Sequence, residues 1–301
     1  MKKTNQQKQV KLVFENHADK WFSKATQNKK NSVNMIKQRN NFVEELAKRF
    51  AQKKSKLLDV GCGTGDLVLS LRKLNFDAFG IDFAESMIKK AESRLKMIQK
   101  DKGIFETISF FDYKTQYKYK IISANGFIEY ISKNELNKFL KNSFNMLEKN
   151  GLIVFSSRNR LFNVFSNNEY TKSEIKLSNL NELSQEAIIF NESRNFNQVL
   201  KTNFKSKIRS NLKTHNRKTS DISVDTRYQY TPFQIIELLK KYKFKPVEIH
   251  PIHIHIFPTS SRFDPPKIHD YVSNLVQNQE KIPIQFITQS SSFMIVARKN
   301  E

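Results

Sequence analysis

The chain has 301 residues, of which 38% are hydrophobic and 12% aromatic, which is enough for one large folded domain or one domain with an insertion. Its only cysteine, Cys62, excludes an intramolecular disulfide and is typical of a protein from a reducing compartment. The amino terminus lacks the apolar segment of a secretory signal, and no stretch reaches the about 18 apolar residues of a membrane helix. We therefore expect a soluble, cytoplasmic protein.

The formal net charge of +23 is unevenly distributed along the chain. Residues 1–56 carry 15 Lys and Arg against 4 Asp and Glu, and residues 157–220 carry 12 against 5. Such an excess attracts anionic partners, such as nucleic acid, a phosphorylated substrate or a membrane surface. A composition rich in Lys, Asn, Ile and Phe, as an AT-rich genome encodes, explains the same excess. Both explanations stay open.

Hydrophobic spacing predicts an amino-terminal helical segment followed by alternating strands and helices. Residues 15–50 have apolar side chains at helical spacings of three and four. The predicted strands cover residues 56–60, 78–81, 107–111, 121–124 and 152–156. The predicted helices between them cover residues 66–74, 85–98 and 132–150, the last beginning with a capping box at Ser132 and Glu135. Strands that alternate with helices predict a parallel, doubly wound sheet.

Residues 157–227 break this alternation, because they are rich in Asn, Ser and Lys and show only weak helical patterns. A segment of this length is too long for an ordinary loop and is usually functional or disordered. The regular pattern resumes at Thr231, where T-P-F-Q is a second capping box. Two further strands are predicted near residues 247–257 and 286–298.

Three of the seven glycines fall within five positions, in the stretch LLDVGCGTGD at residues 57–66. A dinucleotide-binding turn has the pattern G-x-G-x-x-G, but here Asp66 occupies the position of the last glycine. The G-K-[ST] of a phosphate-binding Walker loop is absent. Asp59 and Asp66 flank the turn and disfavour phosphate. They favour a ligand with positive charge, hydroxyls and amines, a description that S-adenosylmethionine meets.

Two further acidic residues follow the next two predicted strands. Asp82 comes 21 residues after Gly61, where its carboxylate can accept both hydroxyls of a ribose, and Phe83 can lie against the adenine. Asp112 follows the third strand and can accept the adenine amino hydrogen. The carboxyl ends of parallel strands are where α/β sheets bind ligands, so we expect these groups to meet there.

The ordered set LLDVGCGTG, GIDFAESMI, FFDY, NGFIEYIS and LEKNGLIVFSSRN resembles the class I S-adenosylmethionine-dependent methyltransferases. It is especially similar to the branch with the ubiquinone-biosynthesis and related small-molecule O-methyltransferases, over about residues 50–160. The resemblance implies an α/β, Rossmann-like fold with a seven-stranded, mostly parallel sheet, helices on both faces and an inserted lid. It also implies S-adenosyl-L-methionine as the cofactor.

We divide the chain accordingly into four parts. Residues 1–50 form an amino-terminal helical cap and residues 51–156 the donor-binding core. Residues 157–227 form an inserted lid over the acceptor, and residues 228–301 complete the core sheet. The resemblance implies donor contacts by Asp59, Gly61, Gly63, Gly65, Asp82, Phe83, Asp112, Tyr113, Asn125, Gly126 and Phe127. Two positions depart from the family, which commonly has aspartate at Lys120 and often histidine at Tyr130.

Transfer to a hydroxyl or carbon acceptor needs a base, most often histidine. His253 and His255 share one face of a predicted strand in EIHPIHIHIFP and are the first candidates, followed by Glu129. The H-x-H spacing also suits a metal, but no third ligand at a fixed spacing accompanies it, so we predict no metal site. Packing within the strand for the histidines, and a structural hydrogen bond for Glu129, are the alternatives.

Arg158 and Arg160, just past the fifth predicted strand, are placed to hold a carboxylate or phosphate of the acceptor. Trp21 is expected to fold over the bound ligands, with core packing as the alternative. We therefore expect methyl transfer to a small-molecule or glycan acceptor, with O-methylation of an anionic group. An RNA methyltransferase that uses the basic segments, and a non-catalytic partner protein that binds S-adenosylmethionine, are the competing hypotheses.

Overall fold

The computed structural model describes residues 5–27, 33–96, 103–209, 212–214, 224, 226–259 and 266–300. Three helices, α1 (Asn5–Asn16), α2 (Ala18–Thr26) and α3 (Met35–Phe50), come first. The first half of the sheet follows as β1 (Lys56–Val60), α4 (Asp66–Lys73), β2 (Asp77–Asp82), α5 (Glu85–Lys96), β3 (Phe105–Thr107), β4 (Tyr119–Ala124), the 3₁₀ turn Ile128–Tyr130, α6 (Lys133–Met146) and β5 (Leu147–Arg158).

The second half of the chain is more helical. It consists of α7 (Phe162–Ser166), α8 (Glu169–Lys176), α9 (Leu180–Glu192), α10 (Phe196–Lys201), β6 (Leu212–Thr214), β7 (Arg227–Gln229), α11 (Pro232–Lys241), β8 (Phe244–Ile254), α12 (Pro266–Gln277), the 3₁₀ turn Ile284–Ile287 and β9 (Ser290–Lys299). None of the helices in the described residues is long and apolar enough to span a lipid bilayer.

Seven strands form one sheet in the order β3-β2-β1-β4-β5-β9-β8. The first five are mutually parallel, whereas β9 runs antiparallel to both β5 and β8. The chain winds outward from β1 to β3 and then returns to place β4 on the other side of β1. Such a change of direction opens a crevice at the carboxyl ends of the strands. The predicted α/β fold with a seven-stranded, mostly parallel sheet is confirmed.

Two hydrophobic clusters cover the two faces of this sheet. Successive strand residues point to opposite faces, so Leu58 of β1 packs with α6, α9 and α11 while its neighbour Leu57 packs with α3, α4 and α5. The helices of the insertion belong to the first cluster, since Leu183 and Phe190 of α9 are fully buried in it. The insertion is therefore packed on the sheet, and its residues 210–211, 215–223 and 225 lie outside the described part.

Local signals in the sequence predict the helix starts well and some strand limits poorly. Both capping boxes form as predicted, at Ser132 before α6 and at Thr231 before α11. The prediction of a strand over 107–111 is wrong, because after Thr107 the chain turns and Ser109 O accepts bonds from the amides of residues 112 and 113. The predicted helix over 15–50 is divided into α1, α2 and α3, and its residues 28–32 lie outside the described residues.

A buried ion pair joins the end of β5 to α8. The guanidinium of Arg160 is fully buried and donates through Nε and Nη2 to the two carboxylate oxygens of Glu174, at 2.7 and 2.8 Å. Asn163 and Asn179 donate to the same carboxylate at 3.0 and 3.1 Å. The predicted role of Arg160 in acceptor binding does not fit this position, because the side chain is enclosed and engaged by Glu174.

Removing one partner of this pair should strongly destabilise the fold. Glu174→Gln keeps the size of the side chain but leaves the Arg160 charge buried without its counter-ion, so the free energy of unfolding should fall by about 3–5 kcal/mol. Lys172→Gln in the same helix breaks an exposed pair with Glu169 and should change it by less than about 0.5 kcal/mol. Urea unfolding measures both, and similar small losses for the two variants would contradict the structural role of the pair.

Candidate active site

The glycine-rich turn connects β1 to α4 at the carboxyl edge of the sheet. Gly65 has φ of +79°, and a Cβ at this position would lie 2.7 Å from Cζ of Phe105 and 2.9 Å from Cβ of Ala91. Only glycine therefore lets α4 begin so close to β3 and α5. Gly63, with φ of +52°, donates its amide hydrogen to Oδ2 of Asp82 at 3.0 Å. This bond fastens the turn to the end of β2.

Asp82 is a buried carboxylate at the end of β2. Its second oxygen, Oδ1, accepts the amide hydrogen of Ala84 at 2.9 Å. Burial raises the pKa of the Asp82 carboxyl to about 6, although the amides of Ala84 and Gly63 favour its ionised form. Each carboxylate oxygen of Asp82 thus accepts one backbone hydrogen bond and keeps a further lone pair for a ligand that offers hydroxyl groups.

Asp59, at the end of β1, is the second buried acid of the site. It accepts a hydrogen bond from Oγ of Ser123 at 2.7 Å. Its pKa is raised to about 7, mainly by burial and to a smaller extent by the nearby carboxylates of Asp82 and Asp66. The carboxylate of Asp66 forms an ion pair with Nη1 of Arg94 at 2.9 Å. Asp59 is thus the acid of this turn that lacks a cationic partner among the described residues.

A cleft with about 780 Å³ of empty space opens above the carboxyl ends of these strands. Its walls are mostly aromatic and apolar, with a few polar groups. They include Val10, Phe14, Trp21, Gly61, Gly63, Asp82, Phe83, Met87, Ser109, Phe110, Phe111, Asn125, Gly126, Phe127 and Tyr130. A smaller adjoining cavity, lined by Asp59, Asp66 and Asn125, shares Trp21 and Gly61 with it.

The two amino-terminal helices cover this cleft. Glu15 of α1 accepts the amide hydrogens of residues 85 and 86 at 2.8 Å each, and so caps the start of α5. The Trp21 indole of α2 lies above the turn, with Nε1 3.3 Å from where a Cβ of Gly63 would be. Phe14 packs edge-on against Trp21, with ring centroids 5.6 Å apart. The position of Trp21 at the mouth of the cleft agrees with the expectation that it folds over the ligands.

Residues 35–202 match the family described as a methyltransferase domain, and this region is more than half of the chain. The chain belongs to this methyltransferase family. It is 31% identical over 108 residues to the ubiquinone biosynthesis O-methyltransferase of Pelagibacter ubique, covering 36% of this chain and 44% of that protein. It is 29% identical over 129 residues to a carboxy-S-adenosyl-L-methionine synthase of Nautilia profundicola, covering 42% of this chain and 54% of that protein. The methyltransferase spans about half the length of the curated relatives it matches.

Solved structures agree with the fold. Magnesium protoporphyrin IX methyltransferase of Synechocystis PCC 6803 with bound S-adenosylhomocysteine aligns with a TM-score of 0.54 at 12% identity, over 97% of this chain and 100% of that chain. An N-methyltransferase of Burkholderia thailandensis aligns with a TM-score of 0.52 at 10% identity, over 87% of this chain and 78% of that chain. At these identities the similarity shows the fold, and the fold is that of the class I S-adenosylmethionine-dependent methyltransferases.

The donor of this family, S-adenosyl-L-methionine, fits the residues of the cleft. Asn125 donates through Nδ2 to Asn40, but its buried Oδ1 has no hydrogen-bond partner among the described residues. That oxygen and the Asp59 carboxylate suit the ammonium and sulfonium groups, and the Asp82 carboxylate suits the ribose hydroxyls. The bare backbone at Gly61 and Gly63 leaves room that side chains would fill, since Cβ atoms there would lie 3.2 Å from Phe127 and 3.3 Å from Trp21.

Three of the predicted donor contacts, Asp112, Tyr113 and Gly65, line neither the donor cleft nor its adjoining cavity. Asp112 is exposed, and the hydroxyl of Tyr113 bonds instead to that of Tyr119 at 2.7 Å. The residues that face the cleft after β3 are Ser109, Phe110 and Phe111. The adenine contact predicted for Asp112 does not agree with this arrangement, because the turn after Thr107 carries the carboxylate past the cleft. Gly65 serves helix packing and is not part of the lining.

A second opening, which we call the arginine pocket, adjoins the donor cleft. It contains Arg39 of α3, Arg158 of β5 and Arg227 of β7, with Glu129 between them, and has about 1260 Å³ of empty space. Trp21 and Tyr130 belong to the walls of both openings. Sequence reasoning identifies Arg158 and misses Arg39 and Arg227. Arg39 carries a usable signal, since it occupies the apolar face of α3 three residues before Phe42.

Glu129 acts as a counter-ion in this pocket. Its Oε2 accepts a hydrogen bond from Nη2 of Arg227 at 2.7 Å and lies 4.0 Å from Nε of Arg158. Although burial opposes ionisation, Arg227, Arg158 and Arg39 together hold the pKa of the Glu129 carboxyl below its usual value. A carboxylate with a lowered pKa is a weak base, so the geometry favours the alternative of a structural bond over the catalytic role predicted for Glu129.

The two candidate histidines lie on the edge of β8 rather than in the cleft. Neither His253 nor His255 belongs to the walls of the donor cleft or of the arginine pocket as described. Burial lowers the pKa of His255 to about 3 and that of His253 well below its usual value. The nearest link to the arginine pocket is Ser291, a wall residue whose Oγ lies 3.2 Å from Nδ1 of His253. The catalytic role predicted for these histidines stays a prediction.

The raised pKa of Asp59 gives the free energy of unfolding a specific pH dependence. A folded-state pKa of about 7 lies above the ordinary 3.8, so the stabilisation from the protonated form is complete below about pH 4 and is lost as the pH rises through 7. Asp59→Asn removes this titration. The unfolding free energy of the variant minus that of the wild type should therefore grow by about 2 kcal/mol between pH 5 and pH 8. A difference that stays flat over this pH range for Asp59→Asn would contradict the assignment.

Calorimetry with S-adenosylmethionine tests the ribose contact. Asp82→Ala should weaken donor binding by roughly 10- to 100-fold, because a hydrogen bond to a charged group contributes about 1.5–3 kcal/mol. Asp112→Ala should leave the affinity within about twofold, because its side chain is outside the cleft. Unchanged binding in Asp82→Ala would show that the ribose contact is misassigned, and an equal loss in Asp112→Ala would restore the sequence-based assignment of the adenine contact.

Proposed function

We propose that this methyltransferase transfers the methyl group of S-adenosylmethionine to an oxygen of an anionic small molecule or glycan held in the arginine pocket. The observation that carries the proposal is the excess of positive charge there. Among the described residues that line the pocket, Arg39, Arg158 and Arg227 face one carboxylate, that of Glu129, so two guanidinium charges are in excess, and Lys24 adds a further cation at the wall. A phosphate group, or a carboxylate with a second acidic group, balances them.

The hydrogen-bonding state of the arginines supports an anionic ligand. The Nε atoms of Arg39 and Arg158 are buried and have no hydrogen-bond partner within the described residues. Burial lowers the pKa of both guanidinium groups, which marks them as incompletely compensated charges. Guanidinium groups bind carboxylate and phosphate through two parallel hydrogen bonds. An acceptor with such a group would satisfy donors that the protein itself leaves open.

The position of the pocket supports its role as the acceptor site. Methyl transfer is an in-line displacement, so the acceptor must approach the methyl group from the side opposite the sulfur. The donor cleft and the arginine pocket share Trp21 and Tyr130 as walls, which brings the two ligands next to each other. Enclosure by the amino-terminal helices excludes water from the reacting groups, and such positioning is a main source of rate in transfer reactions.

The scarcity of bases also favours an acidic acceptor oxygen. The walls of the two openings contain no histidine among the described residues, and Glu129 is neutralised by its arginines. A carboxylate or another acidic oxygen is ionised at neutral pH and attacks without a base. The curated relatives are named for different reactions, an O-methyltransferase and a carboxy-S-adenosylmethionine synthase, so the acceptor class rests on the pocket chemistry.

The net charge of +23 supports RNA methylation as the second candidate. A single experiment separates the hypotheses: labelled S-adenosylmethionine is incubated with the protein and cell extract divided into polar metabolites, lipids, glycans and RNA. The proposal expects label in an anionic metabolite or glycan. Exclusive labelling of RNA, with an affinity that falls steeply with salt, would overturn it. A protein that binds the donor and labels no fraction would be a non-catalytic S-adenosylmethionine-binding protein.

With the labelled fraction as substrate, variants of two arginines test the pocket. Arg158→Gln should lower kcat/KM roughly 10- to 100-fold through the lost charged hydrogen bonds, while donor affinity stays within about twofold. Arg49→Gln, which breaks an exposed pair with Glu248 outside both openings, is the matched control and should leave kcat/KM unchanged. Equal losses in the two variants would indicate a general electrostatic effect and contradict a specific acceptor contact.

A further inference from the structure

Three histidines converge between β8 and α12, outside the donor cleft and the arginine pocket. His253 lies near the end of β8, His255 follows that strand, and His269 belongs to the first turns of α12. One ring nitrogen from each lies within 4.8 Å of the other two. The spacing of His253 and His255 places both rings on one side of the strand, with centroids 4.2 Å apart. The third ring comes from an element that sequence spacing alone does not connect to them.

The separation of the ring nitrogens suits ligands of one metal ion. Nε2 of His253 lies 3.2 Å from Nε2 of His269. Two nitrogens bound to a tetrahedral zinc ion at about 2.0–2.1 Å lie roughly 3.3 Å apart. The nitrogens of His253 and His269 are therefore already at ligand spacing. His255 presents a ring nitrogen within 4.8 Å of the ligand nitrogens of both, so a small rotation of its ring completes a set of three nitrogens.

His255 supplies independent evidence for a missing ligand. Its side chain is 93% buried, with 7% exposed, and its Nε2 has no hydrogen-bond partner among the described residues. Phe162 packs against the ring with centroids 4.7 Å apart, which encloses it further. Leaving such a buried nitrogen without a hydrogen-bond partner is unfavourable, because the atom has lost its contact with water and gained nothing in exchange. A metal ion bound to the lone pair of Nε2 removes this cost.

The surroundings of His253 orient its ring in the manner of a metal ligand. Its Nδ1 lies 3.2 Å from Oγ of Ser291, so that Nδ1–H can donate to the hydroxyl and leave Nε2 free to bind. The backbone of His253 has φ of +54°, in the left-handed region that residues other than glycine rarely adopt. Gln38 holds this conformation by accepting the amide hydrogen of His253 at 3.0 Å. Such strain persists where a side chain must be aimed in one direction.

We propose that His253, His255 and His269 form a binding site for a divalent transition metal ion of the zinc class. Three imidazole ligands suit zinc, copper, iron or nickel, and the fourth position is left for water. The ion joins α12 to β8, next to the wall of the arginine pocket that Ser291 forms. His253 and His255 then act as metal ligands, which accounts for their position outside the walls of the arginine pocket.

Metal titration of a protein without an oligohistidine tag tests the site. Cobalt added to the metal-free protein should bind once per chain and give the visible absorption of tetrahedral coordination, and zinc should displace it. His269→Gln keeps a polar side chain of similar length at α12 but removes a ligand. Its affinity should fall by more than about 100-fold, because even the groups that orient a ligand contribute up to that factor.

His250→Gln is the matched control. His250 is a partly buried histidine of β8 that contacts α12, since its Nε2 lies 3.1 Å from Nε2 of Gln277, but it is not part of the three-histidine set. This variant should bind cobalt like the wild type, and circular dichroism of both variants checks that they fold. The proposal is overturned if the wild type binds no ion, if His269→Gln binds as tightly as the wild type, or if His250→Gln loses binding equally.

If His269→Gln does not fold, His255→Gln provides the same test on the strand side. A second readout is thermal unfolding, in which zinc should raise the midpoint of the wild type and of His250→Gln but not that of the ligand variants. An equal zinc effect on all variants would place the ion elsewhere and reject the site. These readouts do not depend on methyl transfer, so the metal site stands or falls separately from the proposed acceptor.

Discussion

The bond from the Gly63 amide to the Asp82 carboxylate is the constraint on which the site depends. It fixes the glycine turn to the end of the neighbouring strand and keeps a carboxylate buried at the point where the sheet changes direction. Together with Asp59, it places two acids in surroundings that raise the pKa of both. Such an arrangement costs stability in the free protein, and it becomes favourable when a cationic, hydroxyl-rich ligand enters. The two buried carboxyl groups therefore gain their balancing positive charge and hydrogen-bond donors from the ligand.

The arginine pocket, which shares Trp21 and Tyr130 with the donor cleft as wall residues, has an excess of positive charge. There the cations Arg39, Arg158 and Arg227 exceed the acid Glu129, so an acidic cleft and a basic pocket share a wall. A sulfonium donor and an anionic acceptor would each be held by its own counter-charges. Their reaction removes the positive charge of the sulfonium and one negative charge of the acceptor, and such a step is favoured when water is excluded from the reactants. Two complementary sites under the amino-terminal helices thus suit the chemistry better than either site alone.

Structural features that depend on residues close together in the sequence could be predicted, whereas contacts between residues far apart in the sequence could not. The capping boxes, the glycine turn and the position of Asp82 follow from contiguous patterns and could be predicted. Arg158 and Arg160 are two residues apart and look equivalent in the sequence, yet Arg160 is enclosed by Glu174 whereas Arg158 reaches the arginine pocket. The partner of Glu129 is Arg227, 98 residues further on, and no local pattern indicates that pairing. Asp112 shows the opposite kind of error, in which a local pattern predicts a contact that the structure does not form. The chain turns after β3, and the Asp112 side chain is exposed outside the cleft.

His253 and His255 show how one sequence pattern can leave two functional interpretations open. The H-x-H spacing places two rings on one side of a strand, and an acceptor base or a metal ligand both fit that pattern. The environment favours a metal ligand: the rings do not line the two openings and they meet His269 of α12, while Ser291, a wall residue of the arginine pocket, contacts His253. Burial, which makes these imidazoles poor partners for an incoming proton, makes them good partners for a metal ion. Under the proposed function, an ionised acceptor oxygen would react without a histidine in the arginine pocket.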